Sequence, residues 1–506
     1  MSYRAVPVFA ALTLAACAAG PNYHPAPTPP VAAGRFAASD TIAVSATALP
    51  DKWWQLYDDP ALDTLVTEAL TANTDLRVAT ANLRRARAIL GEIRAQRLPS
   101  TAISASANYL KSNGSSGNTG GGNTGGGNMG GGSSGGGVAG GGSTGTTSGG
   151  YQGEYYSAGL DVSYELDLYG RVRRDIAASR ADVAVQEAQR DTVRTSVAAE
   201  TARAYADACS AALQADVARR SLTLQLQTVE LTENLALAGR GTPLDTSRAR
   251  AQYEQVRATL PPFIAARRDA LFRLSVLTGH APEEIAPAAA ACTTPPQLKA
   301  PIPVGDGTAL LKRRPDIRQA DRALAAATAR IGVATAALYP KVTLGGSIGT
   351  SGINLGQLGS DGSFRFSLGP LLSWTFPNIT VARARIRQAQ ASNEAALATF
   401  DGTVLTALRE TETALSDLAA ALDRQTALAA TRDYSAEAAR IVDLRYRAGA
   451  ENFLAVLDAQ RTLATAAAAL AQSRATLVTD QVAVFKALGG GWENTPARAD
   501  VSSGRQ

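Results

Sequence analysis

The feature that most limits how this chain can fold is a stretch of 68 residues, from Arg171 to Ala238, that contains neither glycine nor proline. A matching stretch runs from Ile379 to Ala448, with Gly402 as its only glycine. At the helical rise per residue, such a stretch reaches about 100 Å, which no compact domain of this size accommodates. The apolar positions are mainly Ala, with Leu and Val at three- and four-residue spacings. This pattern predicts long, closely packed, coiled-coil-like helices.

The chain also consists of two related halves, a kind of internal repeat that bears on the whole fold. Matched positions include Asp75 and Asp316, Gly91 and Gly332, Pro99 and Pro340, Gly159 and Gly369, Glu200 and Glu410, and Gly241 and Gly449. The offset falls from 241 to 210 after Pro99, so the first half carries 31 extra residues at that point. Residues 114–150 there contain 20 of the 46 glycines, which predicts a flexible loop. Each half reads as helix, strand, loop, strand, long helix and helix.

The predicted strands alternate between apolar and polar residues. From Leu160 to Leu168, apolar side chains alternate with Asp161, Ser163, Glu165 and Asp167. Residues 364–376 repeat this alternation with Phe, Leu and Trp, although Pro370 interrupts the apolar row, and residues 103–109 and 342–348 give weaker versions. Such segments are typical of transmembrane β-barrels, but an antiparallel sheet with one solvated face shows the same period.

Four strands per chain cannot close a barrel that has a lumen. An open edge in lipid would also leave backbone groups without hydrogen-bond partners. If the strands cross a membrane, several chains must therefore contribute to one barrel. The sequence predicts a homo-oligomer.

The amino terminus predicts export and a lipid anchor. A single basic residue, Arg4, precedes an apolar run from Val6 to Ala16 that is too short to span a bilayer and is typical of a signal peptide. Leu14-Ala15-Ala16 directly before Cys17 resembles a bacterial lipobox, in which Cys17 becomes the acylated first residue of the mature chain. The alternative is ordinary signal cleavage beside an incidental cysteine. The residue after Cys17 is Ala18 rather than Asp, and the resemblance to bacterial lipoproteins then implies retention in the outer rather than the inner membrane.

Composition argues against several function classes. Two His and three Cys leave little material for a zinc site or a Cys/His catalytic pair, and we assign no metal and no chemistry to His24 or His280. The formal net charge is +5 and basic residues are dispersed among acidic ones, so we expect no nucleic-acid partner. The only cofactor-like group is the covalent lipid on Cys17. Export permits a disulfide between Cys209 and Cys292. The alternative is that Cys209, in its Ala-rich run, is a small buried residue without a disulfide.

Together these features resemble the TolC-like outer membrane efflux protein family, in particular its lipoprotein branch, the NodT/OprM-type outer membrane factors. The resemblance covers essentially the whole mature chain. It rests on Cys17 with Gly20-Pro21-Asn22-Tyr23, Trp53-Trp54, Arg313-Arg314-Pro315-Asp316-Ile317, Arg445-Tyr446-Arg447-Ala448-Gly449, Leu457-Asp458-Ala459-Gln460-Arg461 and Ala487-Leu488-Gly489-Gly490-Gly491-Trp492.

The resemblance implies an α+β membrane protein with two tandem repeats. Its homotrimer would form a twelve-stranded outer-membrane β-barrel, four strands per chain, continued by a long periplasmic α-helical barrel. The predicted segments are a signal peptide at 1–16, a leader and equatorial segment at 17–60, a first repeat at 61–278 with its Gly-rich loop at 112–150, an equatorial linker at 279–307, a second repeat at 308–488 and a tail at 489–506. Asp161, Glu165 and Asp167 would line the barrel lumen, where they would favour cations or serve solubility alone.

The resemblance also implies a gate at the periplasmic end of the helical barrel. Leu454, Asp458 and Arg461 share one helix face, and they would supply an apolar ring, an acidic ring and a basic partner. Asp245 and Arg248 would make contacts between neighbouring tips. The alternative for Asp458 and Arg461 is an ion pair on a solvated helix, worth about 0.2–0.5 kcal/mol. Ala455 stands where some relatives have a second carboxylate, which argues against a double acidic ring.

The predicted function is that of a passive exit duct in the outer membrane, lipid-anchored and extending into the periplasm. It would join a periplasmic adaptor and an inner-membrane pump of the resistance-nodulation-division (RND) type, and it would not be an enzyme. One alternative is the outer membrane channel of a protein secretion system. The other is a structural coiled-coil envelope lipoprotein without a pore, which would have no use for alternating strands. An exported hydrolase is disfavoured because nothing stronger than helix spacing places a pair of carboxylates together.

The lipid anchor gives the first testable prediction. A Cys17→Ala protein should incorporate no labelled palmitate, because acylation at this site needs the cysteine thiol. The measurement is palmitate labelling of wild type and variant in cells. Persistent labelling of the variant would contradict the assignment of Cys17.

Overall fold

The structure is a computed structural model that describes residues 19–25, 34, 36–37, 44–45, 47, 49–111, 152–374, 376–377 and 379–491. The signal peptide, Cys17, the Gly-rich loop 112–150 and the tail from residue 492 lie outside the described residues. The described parts form two units. One consists of residues within Arg94–Val172 and Ala337–Ile379 and holds a β-sheet, and the other is helical.

The first half of the chain contains these elements: β1 (Val44–Ser45), a 3-10 helix (Trp53–Tyr57), α1 (Pro60–Ala72), α2 (Thr74–Ala95), β2 (Ser100–Lys111), β3 (Gln152–Leu166), α3 (Arg171–Leu237) and α4 (Pro243–Leu277). The connecting segment and second half contain α5 (Pro287–Ala290), β4 (Ile302–Pro303), α6 (Gly307–Arg313), α7 (Pro315–Ala336), β5 (Lys341–Gly352), a 3-10 helix (Leu355–Gly359), β6 (Phe364–Ser373), α8 (Ile379–Arg447) and α9 (Phe453–Ala487). The predicted order of helices and strands therefore holds in both halves. The two uninterrupted stretches are helices of 67 and 69 residues.

The sheet unit is a four-stranded antiparallel sheet in the order β2-β3-β5-β6. One row of paired residues across it is Ile103, Leu160, Ile348 and Phe366, and the adjacent row is Ala102, Asp161, Ser347 and Ser367. Since successive side chains point to opposite faces, one face is apolar and the other polar. Hydroxyl pairs lie across strands on the polar face, with Oγ atoms 2.9 Å apart in Ser106 and Ser157 and 2.8 Å apart in Ser347 and Ser367.

The apolar face of the sheet is exposed in the single chain. Ile103 is 87% exposed and Phe366 and Leu368 are each 76% exposed. The strands are slightly shorter than the alternation predicts. β3 ends at Leu166, so Asp167 and Leu168 lie beyond it, and β6 ends at Ser373, before Trp374.

The core of the helical unit forms where the segments between the repeats pack on the long helices. Trp53 is fully buried and stacks on Phe485 of α9 with ring centroids 4.7 Å apart. Ile302 and Val304 join the same cluster from the linker, and Cys209 joins it from α3. The parallel pairing of β1 with β4 ties the leader to this linker.

Arg314 explains the Arg-Arg-Pro-Asp-Ile segment at the start of α7. Its guanidinium donates to the Ala487 carbonyl at 2.9 Å, to Asp316 at 2.7 Å and to Glu410 at 2.8 Å. These contacts connect the start of α7 and the end of α9 to the middle of α8. Gly489, at φ +70°, lies against the Arg314 side chain, where a Cβ would be 2.9 Å from Cγ.

Cys209 and Cys292 form a disulfide between α3 and the linker, across 83 residues of sequence. Cys209 is also fully buried. Cys209 therefore forms a disulfide and is also a small buried residue, the two possibilities that the sequence left open. Among the described helices, α9 alone is long and apolar enough to cross a membrane by length and composition.

Candidate functional site

The predicted gate residues lie beside two helical hairpins of the same design. α3 ends in a turn with Gly239 at φ +71°, and α8 ends in one with Gly449 at φ +76°. The Arg240 N–H donates to the Leu235 carbonyl at 2.9 Å, and the Ala450 N–H donates to the Arg445 carbonyl at 2.8 Å. Both helices thus end in the six-residue hydrogen-bonded motif that a left-handed glycine allows.

Side-chain caps start the returning helices at equivalent places. The Thr242 hydroxyl accepts a hydrogen bond from the Asp245 N–H at 3.2 Å, and the Asn452 side chain accepts one from the Ala455 N–H at 2.9 Å. Each cap satisfies one backbone donor of the first helical turn. Both returning helices are 35 residues long.

This geometry corrects the alignment of the repeats. The sequence match paired Gly241 with Gly449 at an offset of 208, but Gly239 has the equivalent conformation. The turn glycines and the ends of the flanking helices correspond between the two hairpins at an offset of 210 residues. The equal spacing from glycine to cap could have revealed this from sequence. At an offset of 210, Leu244 corresponds to Leu454 and Arg248 corresponds to Asp458.

The gate residues of the second hairpin are exposed together. Leu454 is 56% exposed, and the Asp458 and Arg461 side chains are 63% and 64% exposed. Phe453, Val456 and Gln460 are buried on the opposite side of α9. Asp458 accepts a hydrogen bond from Arg461 at 2.8 Å, so the ion pair weighed from the sequence is present within one chain.

The first hairpin presents the equivalent positions in the same way. Leu244 is 57% exposed and Arg248 is exposed too. Leu244 is a gate candidate that sequence reasoning missed. Asp245 is engaged locally, because its carboxylate accepts a hydrogen bond from the Thr242 hydroxyl at 2.6 Å. Equivalent exposed positions therefore carry opposite charges, Arg248 on one tip and Asp458 on the other.

A small core joins the two tips. Val229, Ala249 and Phe453 are buried together, with Tyr446 packed against them. The Tyr446 and Phe453 ring centroids are 5.9 Å apart. Burial, and then the nearby Asp245 carboxylate, raise the pKa of Tyr446. Bonds of 2.7 Å and 3.0 Å from Arg250 to Glu233 further connect α4 to α3.

The three predicted lumen carboxylates have different surroundings. Asp161 lies on the polar face of β3, paired in register with Ala102 and Ser347. Glu165 binds Arg171 through two bonds of 2.8 Å and 2.9 Å, and Lys341 at 2.9 Å. Two basic side chains, Arg171 and Lys341, therefore pair with the Glu165 carboxylate, and the sequence analysis did not predict either contact.

Asp167 lies beyond the strand and accepts a hydrogen bond from the Val172 N–H at 3.0 Å. It caps the first turn of α3. The alternation that placed Asp167 with the strand residues extends one residue past the end of β3, since turn residues can continue a period of two by chance.

Comparison with known proteins identifies the family. The sequence profile described as outer membrane efflux protein matches residues 65–280 and 308–490, well over half of the chain. The chain belongs to the outer membrane efflux protein family. This confirms the resemblance seen in the sequence and, with it, an outer membrane location and a role in efflux.

The relatives match over nearly their full length. A solvent efflux pump outer membrane protein of Pseudomonas putida, SrpC, is 29% identical over 500 residues, covering 97% of this chain and 99% of SrpC. The pyoverdine export outer membrane protein OpmQ of Pseudomonas aeruginosa is 31% identical over 475 residues, covering 92% of this chain and 90% of OpmQ. The solved outer-membrane channel OprN matches with a TM-score of 0.83 and 36% identity, covering 94% of this chain and 100% of OprN.

In this outer membrane efflux protein, His280 has two carboxylate partners that the sequence analysis did not identify. Its Nε2 lies 2.8 Å from a Glu68 oxygen and its Nδ1 lies 3.1 Å from a Glu284 oxygen. The hydrogen bond with Glu68, followed by that with Glu284, raises the pKa of His280 above its ordinary value. Glu68 is 212 residues away in sequence, so ligand spacing along the chain could not reveal it. Within the described residues no group of three or more His, Cys, Asp and Glu could hold a metal ion.

The His280 contacts predict a pH-dependent contribution to stability. Because the folded-state pKa is raised, the contribution is fully present below the unfolded pKa of about 6.5 and is lost as pH rises through the folded pKa. Wild type should therefore unfold at a higher temperature than His280→Gln at acidic pH, and the difference should vanish at alkaline pH. Thermal unfolding across pH measures this, with His24→Gln as the control, and a difference independent of pH would contradict it.

Proposed function

We propose that three copies of this chain form one passive exit duct through the outer membrane, each contributing four strands to a twelve-stranded barrel. The observation that carries the proposal is the sheet. Among the described strands, β2 and β6 are each paired along one edge only, and the face they share is apolar and exposed. In lipid the apolar face is stable, but the unpaired edges are not until other chains pair with them.

The long helix α8 supports an assembly of several chains. From Leu422 to Arg447 none of its residues is buried in the single chain. Tyr434 is 79% exposed, Ile441 43% and Leu444 54%. Neighbouring chains would cover this apolar surface, and the same helices would continue the barrel into the periplasm.

The gate would lie at the hairpin tips. Leu244 and Leu454 would form an apolar ring to which both hairpins of each chain contribute. Arg248 of one tip would face Asp458 of the next, so that opposite charges hold the ring closed. Arg461 would balance the remaining charge of Asp458, while Asp245 would act chiefly by fixing the first turn of α4.

Within the barrel, Asp161 is the carboxylate we propose for the preference for cations, since Glu165 is already paired with two basic side chains. Asp167 would sit at the lumen end only as a helix cap. Cys17, with its covalent lipid, would anchor the chain to the outer membrane; the anchor requires no other cofactor.

The duct would do no catalysis. It would receive substrate from a periplasmic adaptor and an inner-membrane pump, which we propose is of the RND type. SrpC is named for solvent and OpmQ for pyoverdine, which are chemically unlike. Selection of cargo is therefore assigned to the pump rather than to the duct. A coiled-coil envelope lipoprotein without a pore would not need the apolar sheet face.

Purification from outer membranes tests the assembly. The full-length protein should have the mass of three chains and conduct ions in planar bilayers. Mass determination and single-channel recording supply the measurements. A single chain that forms no channel would overturn the proposal, and a channel of another chain number would correct its stoichiometry.

A charge swap tests the gate. Asp458→Arg alone and Arg248→Asp alone should each raise conductance, because like charges then meet between tips. The double variant should return to the closed conductance of wild type. Thermal stability should change little, since an exposed pair three residues apart contributes only about 0.2–0.5 kcal/mol.

The matched control is Glu254→Arg, which disrupts a similar exposed pair with Arg257 on α4, at 3.1 Å. It should leave conductance unchanged. Single variants that conduct like wild type, or a double variant as open as the singles, would remove Arg248 and Asp458 from the gate.

A further inference from the structure

The mature amino-terminal segment, only two residues after Cys17, is held in a defined place on the helical unit. The Arg174 guanidinium donates to the Ala19 carbonyl at 3.1 Å through Nε and to the Gly20 carbonyl at 2.9 Å through Nη2. The Tyr23 hydroxyl donates to the Asp321 carboxylate of α7. Side chains of α3 and α7 thus bind the backbone and one side chain of the same short segment.

Two glycines let the segment approach α7 closely. Gly20 is at φ +90°, and a Cβ there would lie 2.5 Å from the Gly332 Cα. A Cβ on Gly332 would lie 2.9 Å from the Ala19 carbonyl oxygen. Contacts shorter than 3.0 Å are essentially never made by real Cβ atoms, so neither position accepts a larger residue without displacement.

A glycine at position 332 is unfavourable for the helix that contains it. It lies inside α7, where glycine costs about 1 kcal/mol relative to alanine. The equivalent glycine of the first repeat, Gly91 in α2, has nothing within 4 Å of an added Cβ. The close contact is therefore specific to the half of the chain on which the amino-terminal segment lies.

The contacts also fix the direction of the segment. Gly20 lies against Gly332, whereas Tyr23 reaches Asp321, three turns earlier on α7. The segment thus runs antiparallel to α7, and the chain before Gly20 leads toward the carboxyl end of that helix. Cys17 is three residues from Gly20, a reach of at most about 11 Å. Along the chain, α7 ends at Ala336 and β5 begins at Lys341.

We infer that Arg174, Asp321 and Gly332 form a binding notch for residues 19–23 of this chain. If Cys17 is acylated as proposed, its acyl chains are then attached two residues before a bound segment and not to a free tether. The part of this inference that concerns the acyl chains rests on the proposed acylation of Cys17. The notch itself does not depend on it.

Limited proteolysis of the full-length, detergent-purified protein tests the notch, because chymotrypsin can cleave after Tyr23 only when the segment leaves its binding position. Cleavage at this site should be slow in wild type. In Arg174→Ala the cleavage rate should rise roughly tenfold or more, as expected when two hydrogen bonds of ordinary net strength are lost. Gly332→Ala should speed the same cleavage, although the helix propensity of α7 improves.

Two controls match these variants. Gly91→Ala makes the same change at the equivalent helix position with open space around it, and Arg180→Ala removes an exposed arginine from the same helix as Arg174. Both should keep residues 19–25 protected from cleavage. Fast cleavage after Tyr23 in wild type, or wild-type protection in both Arg174→Ala and Gly332→Ala, would overturn the notch.

A nitroxide attached at the exposed position 22, through Asn22→Cys, gives an independent readout of motion. Its spectrum should be motionally restricted in wild type and narrow in Gly332→Ala; equal mobility in both would contradict the inference. The mass of the amino-terminal peptide from each sample reports acylation separately. Protection without acylation would refute the proposed lipid anchor and leave the notch standing, whereas acylation without protection would do the reverse.

Discussion

The unpaired edges of a four-stranded sheet are the constraint on which the rest of this structure depends. The apolar face of the sheet favours lipid, yet lipid offers no partners for the backbone groups of β2 and β6. The pairing that we propose between copies would resolve this conflict, because β2 and β6 are each paired along one edge only and an antiparallel alternation can continue from one chain to the next. The exposed apolar surface on the second half of α8 would likewise be covered by neighbouring chains in the proposed assembly.

The duplicated chain uses one backbone design for different chemistry in its two halves. Both hairpins have the same glycine turn, the same cap position and the same length of returning helix. At equivalent exposed sites, however, one carries Arg248 and the other Asp458. Likewise Gly332 receives the amino-terminal segment, whereas Gly91 faces open space. Divergence after duplication thus produces complementary surfaces on one chain.

Features with a local period could be predicted from the sequence. The long helices follow from the absence of glycine and proline over each stretch, and the two faces of the sheet follow from alternation in residues 160–166. The bounds of the strands were less certain, since Asp167 continues the period past the end of β3. The sequence alignment of the hairpins was wrong by two residues, because it paired Gly241 rather than Gly239 with Gly449 and ignored the spacing between turn and cap.

Contacts between distant residues could not be predicted. Glu68 reaches His280 across 212 residues, and Lys341 joins Arg171 at Glu165 from the other half of the chain. For the same reason the sequence did not decide whether Cys209 and Cys292, 83 residues apart, form a disulfide. These pairs depend on how the linker and the two repeats pack, and no local pattern carries that information.

The most direct test of the account is to ask whether β2 of one chain pairs with β6 of another. Cysteine pairs would be placed on the apolar face in a series of registers, beginning with Ile103→Cys with Leu368→Cys and Ala105→Cys with Phe366→Cys. Ile103→Cys with Ile348→Cys, on strands separated by β3, is the control. After oxidation in outer membranes, the account predicts covalent trimers for the pairs in register and none for the control. Only single chains in every register, or cross-links confined to one chain, would contradict it.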